Sequence, residues 1–569
     1  MGLEVEKGEK KSIPIGISDF KEFNESNYYY VDKSILIKNI LDNRCKVTLF
    51  TRPRRFGKTL NLSMLKYYFE KTETDNSYLF EGLEIWKAGE KYKKQQGKYP
   101  VINLTFKGAK MNNWEQTYAE LTRTIGEEYE RHSYLLKANI FNVEEEKKVF
   151  ENICARKAKF TDYTASIKNL CKYLEKYYKQ KPIILIDEYD VPLQNSYIYG
   201  FYDETINFVR AALQDALKDN QYLEIGILTG CLRVSKESIF TGLNNLEMVS
   251  ILNKQYAECF GFTQEEVDEI LKYYGIEERR EEIKEWYDGY QFGIKDIYNP
   301  WSVLKCVKDM VVNKASMPEA YWANTSGNDI VKKLIRNADE VTKNEVEMLI
   351  NGGTIEKTLN ANITYNELDE STNNVWSMLF FTGYLTYVKE RRGEGDVISY
   401  YELKIPNKEL LFIYKAIVKG WFEEKVKEQD LNRLYRSLIY GKEEELTEEI
   451  NEILSQSISV YDSYESFYHG LLIGILSRMK GYKIHSNVES GYGRSDIMLE
   501  PVDEREAAII IELKVAKEIE ELKQKSEEAL KQIEERKYQA YLKKIGCENI
   551  IKYGIAFCNK RCLIKMKKS

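Results

Sequence analysis

Two short stretches hold residue types whose spacing can do chemistry on phosphates. The first is Lys46-Val47-Thr48-Leu49-Phe50-Thr51-Arg52-Pro53-Arg54-Arg55-Phe56-Gly57-Lys58-Thr59. An apolar, strand-like run ends in a loop closing on Gly57-Lys58-Thr59, and Leu60, Met64, Leu65 and Tyr68 then recur at helical spacing. A strand, a loop and a helix N-terminus in that order present backbone N–H groups to an anion, so Arg52 to Thr59 are the candidate nucleotide-phosphate cradle. Lys58 is placed to reach the β- and γ-phosphates, and the Thr59 hydroxyl to hold Mg²⁺. Arg52 stands where a general phosphate-binding loop has its first glycine.

A partner for that loop lies at Lys181-Pro182-Ile183-Ile184-Leu185-Ile186-Asp187-Glu188. Four apolar residues before two acids read as a buried parallel strand that delivers carboxylates at its C-terminal edge. Asp187 would complete the Mg²⁺ shell and Glu188 would polarise the attacking water. The run Leu223 to Gly230 suits the next strand and ends on Thr229, a candidate γ-phosphate sensor. Arg233 is the nearest following cation, and reads equally as a phosphate contact or as a structural arginine.

The second stretch is Gly491 to Pro501, then Ala507-Ala508-Ile509-Ile510-Ile511-Glu512-Leu513-Lys514. Glu512 and Lys514 have period-two spacing and project from one strand face. If the two segments pair as a hairpin, Asp496 approaches Glu512. The two carboxylates would then bind Mg²⁺, with Lys514 orienting the attacking water, as metal-assisted phosphodiester hydrolysis requires. A preceding helical segment offers Glu465, and a following amphipathic one carries Gln532. With the last strand, Ile551 to Phe557, the order is α-β-β-β-α-β.

A chain of 569 residues with formal net charge −6 needs roughly three domains and carries no overall electrostatic footprint for nucleic acid. Its final stretch is basic, with Lys560, Arg561, Lys565, Lys567 and Lys568, and reads either as a phosphate-tracking end or as a solvated tail. No apolar run is long enough for a bilayer, and Met1 to Glu6 lack a signal-peptide core, which predicts a cytoplasmic protein with no membrane partner. Nine cysteines without a C-x-x-C pair, and three histidines, give no zinc framework. Helices alternate with apolar strands to about residue 260. From Thr263 the pattern turns helical, with a capping signal at Thr263 to Glu266, an Asn299-Pro300 turn and a hairpin within Phe380 to Ile405.

On these residues the last quarter resembles the PD-(D/E)XK nuclease superfamily, with Asp496, Glu512 and Lys514 as its D…E-x-K. The same resemblance makes Glu465 the acidic residue of the first helix and Gln532 the later glutamine. The first half resembles the AAA-ATPase-like domain joined to such a nuclease-like domain in a large group of bacterial proteins. Arg52 to Thr59, Tyr30-Val31-Asp32-Lys33, Leu185 to Asp190, Ser238 to Asn245, Trp286 to Tyr290 and Tyr298-Asn299-Pro300 carry that likeness. It implies an α/β protein with a P-loop NTPase parallel sheet over 12–260, a mainly helical middle domain over 261–455, and an α/β restriction-endonuclease-like domain over 456–569. ATP and Mg²⁺ are the implied cofactors and nucleic acid, DNA or RNA, the implied partner; an oligomer is compatible with the pattern. Three functions follow as alternatives: ATP-coupled cleavage of nucleic acid, an NTP-dependent switch with an inactive nuclease-like fold, or a nuclease with a structural P-loop domain.

Overall fold

The computed structural model describes residues 10–232, 245–322, 332, 339–361, 363, 365, 367, 371–393, 398–428, 430–455, 465–490, 493–503 and 505–568. At 340, 372, 419, 421–428, 465–467, 487–490, 493 and 494 it describes the backbone alone. The chain divides into two compact units, Met1–Gly327 with Thr354–Phe412, and Asn328–Gly353 with Ile413–Ser569.

In the first unit β1 (Val47–Thr51), β2 (Val101–Thr105), β3 (Ile183–Asp187), β4 (Gly226–Gly230) and β5 (Leu246–Val249) form a parallel sheet in the order β2-β3-β4-β1-β5. Every residue of β1, β3 and β4 is buried, as expected of central strands covered by helices on both faces. The helix Lys58–Phe69 follows β1, Trp114–Arg131 and Phe160–Tyr178 lie between β2 and β3, and Val191–Tyr199 and Tyr202–Leu217 lie between β3 and β4. The chain leaves β1 toward β2 on one side and leaves β4 toward β5 on the other. That reversal between neighbours β1 and β4 makes the switch point at whose carboxyl edge open α/β sheets bind ligands.

Beyond the sheet, the helix Gln264–Tyr274 starts on a capping box between Thr263 and Glu266, and Pro300–Val312 starts on Asn299, whose side chain accepts from the N–H groups of Trp301 and Ser302. Ile13, Ile15, Tyr29 and Val31 pack onto the cluster these helices form, which includes Phe262, Ile270, Tyr287 and Val303. The segment before β1 is thereby laid along the carboxyl edge. The short pair β6 (Tyr290–Phe292) and β7 (Lys295–Ile297) follows, with a sheet of β8 (Ile355–Thr358), β9 (Thr386–Arg392) and β10 (Ser399–Lys404), in which β9 and β10 form the expected hairpin.

The second unit is built on β11 (Tyr482–Ser490), β12 (Gly493–Pro501), β13 (Ala508–Val515), β14 (Ile550–Cys558) and β15 (Arg561–Lys568), in that order. Only β13 and β14 run parallel within it, joined through the crossover helix Leu522–Glu535. The basic C-terminal stretch is not a solvated tail. It is the edge strand β15, because Cys562, Ile564 and Met566 recur at period two and the inward face is covered by the helix Glu443–Ser455. Its lysines are paired: Lys565 with Glu443, Lys567 with Glu534 at 2.7 Å, Lys560 with Glu347 at 3.4 Å, while Lys568 donates to the Tyr440 carbonyl. No helix among the described residues is long and apolar enough to cross a membrane.

Candidate functional site

The loop after β1 turns into its helix through Gly57, which has φ +84° and is the N-cap of Lys58–Phe69. A left-handed backbone there costs a glycine nothing and aims the next amides outward. Thr59 Oγ1 donates to Asp187 Oδ2 at 2.7 Å, and Thr229 Oγ1 donates to Asp187 Oδ1. Residues from the helix after β1, from β3 and from β4 therefore meet around one buried carboxylate. A hydroxyl and a carboxylate in contact at the foot of an amide-lined loop are the hard oxygen donors that Mg²⁺ takes. Lys58 Nζ donates to the Arg52 and Pro53 carbonyls at 2.9 and 2.8 Å, holding its ammonium inside the loop's own curve.

A cavity of about 320 Å³ opens over this edge, of the size small-molecule sites have. Arg54, Arg55, Phe56, Gly57, Lys58, Thr59 and Glu188 line it, with Lys107 and Lys110 from the loop after β2. Its opposite wall is apolar and aromatic, from Pro14, Ile15, Tyr29, Val31, Phe262, Trp301 and Leu304. A cationic, amide-rich half beside an apolar half matches a phosphate chain joined to a flat base. Glu188 has φ +52°, and its Oε2 is buried without a hydrogen-bond partner among the described residues. Burial, then the neighbouring Asp187, raises its pKa, which suits a group that must take a proton. Asp190 accepts the N–H groups of Cys231 and Leu232 at 2.8 and 2.9 Å and so fixes the turn after β4.

Not every residue assigned to this site from sequence reaches the cavity. Arg52 is fully buried: it donates to the carbonyls of Thr51 and Val249 at 2.9 and 2.8 Å, and its guanidinium lies 5.1 and 5.2 Å from the Phe260 and Phe292 rings. Those carbonyls and ring faces take its charge, so its side chain braces the loop from below instead of meeting phosphate. Pro53 contributes only its carbonyl to Lys58. Arg233 lies outside the described residues. No motif spacing singles out Lys107 and Lys110, and Asp190 enters the sequence reading only as the last residue of the Leu185 to Asp190 run. Trp301 lies 4.1 Å from the Arg55 guanidinium and lines the cavity.

In the second unit β12 and β13 pair antiparallel and bring Asp496 to Glu512. The Asp496 N–H donates to Glu512 Oε2 at 3.4 Å, and Asp496 Oδ2 accepts from the Leu513 N–H at 2.8 Å. Lys514 Nζ stands 3.8 Å from Glu512 Oε1, to which Gln532 Nε2 also donates. Gln532 reaches across because Gly554, opposite Glu512 in the ladder, lets the crossover helix settle: a Cβ there would stand 2.2 Å from the Ser526 carbonyl oxygen. Glu512 is only 2% exposed. Two convergent carboxylates on neighbouring strands, with a lysine beside Glu512, are a donor set that fits a hard divalent cation. The helix Glu465–Leu476 begins at Glu465, whose side chain lies outside the described residues. His469 and Tyr538 were not found from sequence. His469 Nε2 lies 3.0 Å from the Asp496 carbonyl oxygen, and the Tyr538 hydroxyl accepts from Gln532 at 3.3 Å.

Residues 14–240 match the family model described as a predicted AAA-ATPase, and residues 463–567 match that of the PD-(D/E)XK nuclease superfamily. An uncharacterized protein in the vnfD 5′ region of Azotobacter chroococcum mcd 1 is 24% identical over 405 residues, which cover 70% of this chain and 68% of that protein.

Proposed function

We propose that this chain, an AAA-ATPase-like domain followed by a PD-(D/E)XK nuclease-superfamily domain, binds and hydrolyses ATP with Mg²⁺ and cleaves nucleic acid under the control of that nucleotide. The observation that carries the first half is the triple contact of Thr59, Asp187 and Thr229 beneath a cavity lined by Lys58 and Glu188. Mg²⁺, when bound, would supply positive charge against the phosphates. Thr59 and Asp187 would hold it, Lys58 would neutralise the phosphates, and Glu188 would accept the proton of the attacking water.

For the second half, the support is the convergence of Asp496, Glu512 and Lys514 on the paired strands β12 and β13. Asp496 and Glu512 would hold the metal, which supplies Lewis acidity at the phosphodiester. Lys514 would orient water against the phosphorus, and Gln532 would keep the Glu512 carboxylate turned toward the metal. The pairing of the β15 lysines within their own unit leaves less free charge for a phosphate backbone and favours a second reading, an NTP-dependent switch whose nuclease-like domain is inactive and binds nucleic acid or a protein partner. A cleavage assay on DNA and RNA with Mg²⁺, with and without ATP, separates the two: products that vanish in Lys514→Ala support the nuclease, and binding without products supports the switch.

A further inference from the structure

One cation of the cavity is held in a way the others are not. Arg54 projects from the phosphate loop itself, and its Nη2 donates to Gln194 Oε1 at 2.6 Å, on the helix that follows β3. Its Nη1 is buried and has no hydrogen-bond partner among the described residues. The side chain lines the same cavity as Lys58 and Glu188. A guanidinium anchored through one nitrogen, with the other buried and unpaired in the cavity wall, keeps hydrogen-bonding capacity that an oxyanion in the cavity can take up.

We propose that Arg54 acts in cis on the terminal phosphate of the nucleotide held by its own loop, so that hydrolysis needs no arginine from a neighbouring subunit. This rests on the ATPase reading above and deepens it. Water oxygen bonds to the γ-phosphorus and its proton passes to Glu188. The bond to the bridging oxygen breaks, and its electron pair leaves on ADP. Arg54 forms no covalent bond; its charge offsets the negative charge growing on the transferring group. The other cations serve this role less well. Arg55 is committed to the Trp301 ring, Arg52 is turned into the core, and Lys110 is exposed so that water shares its charge.

The test compares wild type, Arg54→Ala and Gln194→Ala in steady-state ATPase assays, with ATP and ADP affinities measured calorimetrically in Mg²⁺. Arg54→Ala should lose roughly 10³-fold in kcat, the size of effect an arginine of this role has. Its ADP affinity should stay within about twofold of wild type, while the preference for ATP over ADP shrinks, because the lost contact belongs to the terminal phosphate. Gln194→Ala should lower kcat less, and added guanidinium should restore part of the rate to Arg54→Ala alone. An equimolar mixture of Arg54→Ala with Lys58→Ala should remain as slow as Arg54→Ala. Recovery in that mixture would overturn the proposal by placing the arginine in trans, and so would a wild-type rate. Loss of ADP along with ATP would also overturn it, by making Arg54 a general binding or folding contact. A wild type that binds ATP without hydrolysing it would refute the ATPase reading instead, and the ATP-to-ADP preference of Arg54→Ala would still decide the role of Arg54.

Discussion

Replacing Glu409 with Gln should make the first unit more stable in mild base and leave it nearly unchanged in mild acid. Glu409 has no solvent exposure, and its Oε1 accepts from Ser302 Oγ and the Trp322 N–H, both at 2.9 Å. Its Oε2 has no hydrogen-bond partner among the described residues. Burial is the largest influence and pushes the carboxyl up to about 7, against an ordinary 4.5; the hydrogen-bond donors around it pull the other way and lose. Between those values the unfolded chain has released a proton that the folded chain keeps. Stability therefore falls as pH rises through the window, by about 1.4 kcal/mol per pH unit, and the full penalty of roughly 3 kcal/mol is present above pH 7. Below 4.5 both states are protonated and the penalty is gone. Gln keeps the acceptor oxygen and carries no charge. Urea unfolding of both proteins at pH 5 and pH 8, followed by tryptophan fluorescence, cancels the contributions of all other titrating groups. The variant should gain about 2–3 kcal/mol relative to wild type between the two pH values. A difference that does not change with pH would show that the buried carboxyl is relieved by a route other than protonation.

Lys58→Ala should abolish tight ATP binding by calorimetry, and Asp187→Ala should weaken it only when Mg²⁺ is present. Glu188→Gln should bind ATP normally while turnover falls roughly 10²- to 10⁴-fold. Gly261→Ala should lower the melting temperature, by about 1–3 kcal/mol of stability, because its φ is +80° and a Cβ would stand 2.2 Å from Ile297 Cγ2 and 2.9 Å from Phe56 Cδ1. Gly554→Ala should lift the helix Leu522–Glu535 off β14 and carry Gln532 from Glu512, lowering Mg²⁺-dependent cleavage as Gln532→Ala does; equal activity in both variants and wild type would detach Gln532 from the reaction.

Much of the framework is legible because the information is local. Buried parallel strands read as unbroken apolar runs, so β1, β3, β4 and β13 announce themselves, as do the caps at Thr263 and Asn299. The partners of Asp187 follow from strand ends that a parallel sheet must bring to one edge. What stayed hidden depends on long-range packing. Arg52 looks like a phosphate ligand until Phe260 and Phe292, over 200 residues away in sequence, are seen to enclose it. The C-terminal lysines look like a tail because charge masks the period-two pattern of Cys562, Ile564 and Met566, and because Glu443 and Glu534 sit far upstream. Lys110 and Gln194 belong to the cavity through the sheet order alone, and no motif carries them.

Nucleotide-controlled cleavage can be measured by incubating the purified chain and its Glu512→Gln variant with labelled DNA and RNA in Mg²⁺, with ATP, with ADP and without nucleotide. Products should come from wild type only, depend on Mg²⁺, and form at a rate that ATP changes and ADP does not. Cleavage by the Glu512 variant at the wild-type rate, or no cleavage by wild type under any of the three conditions, would contradict the proposed function.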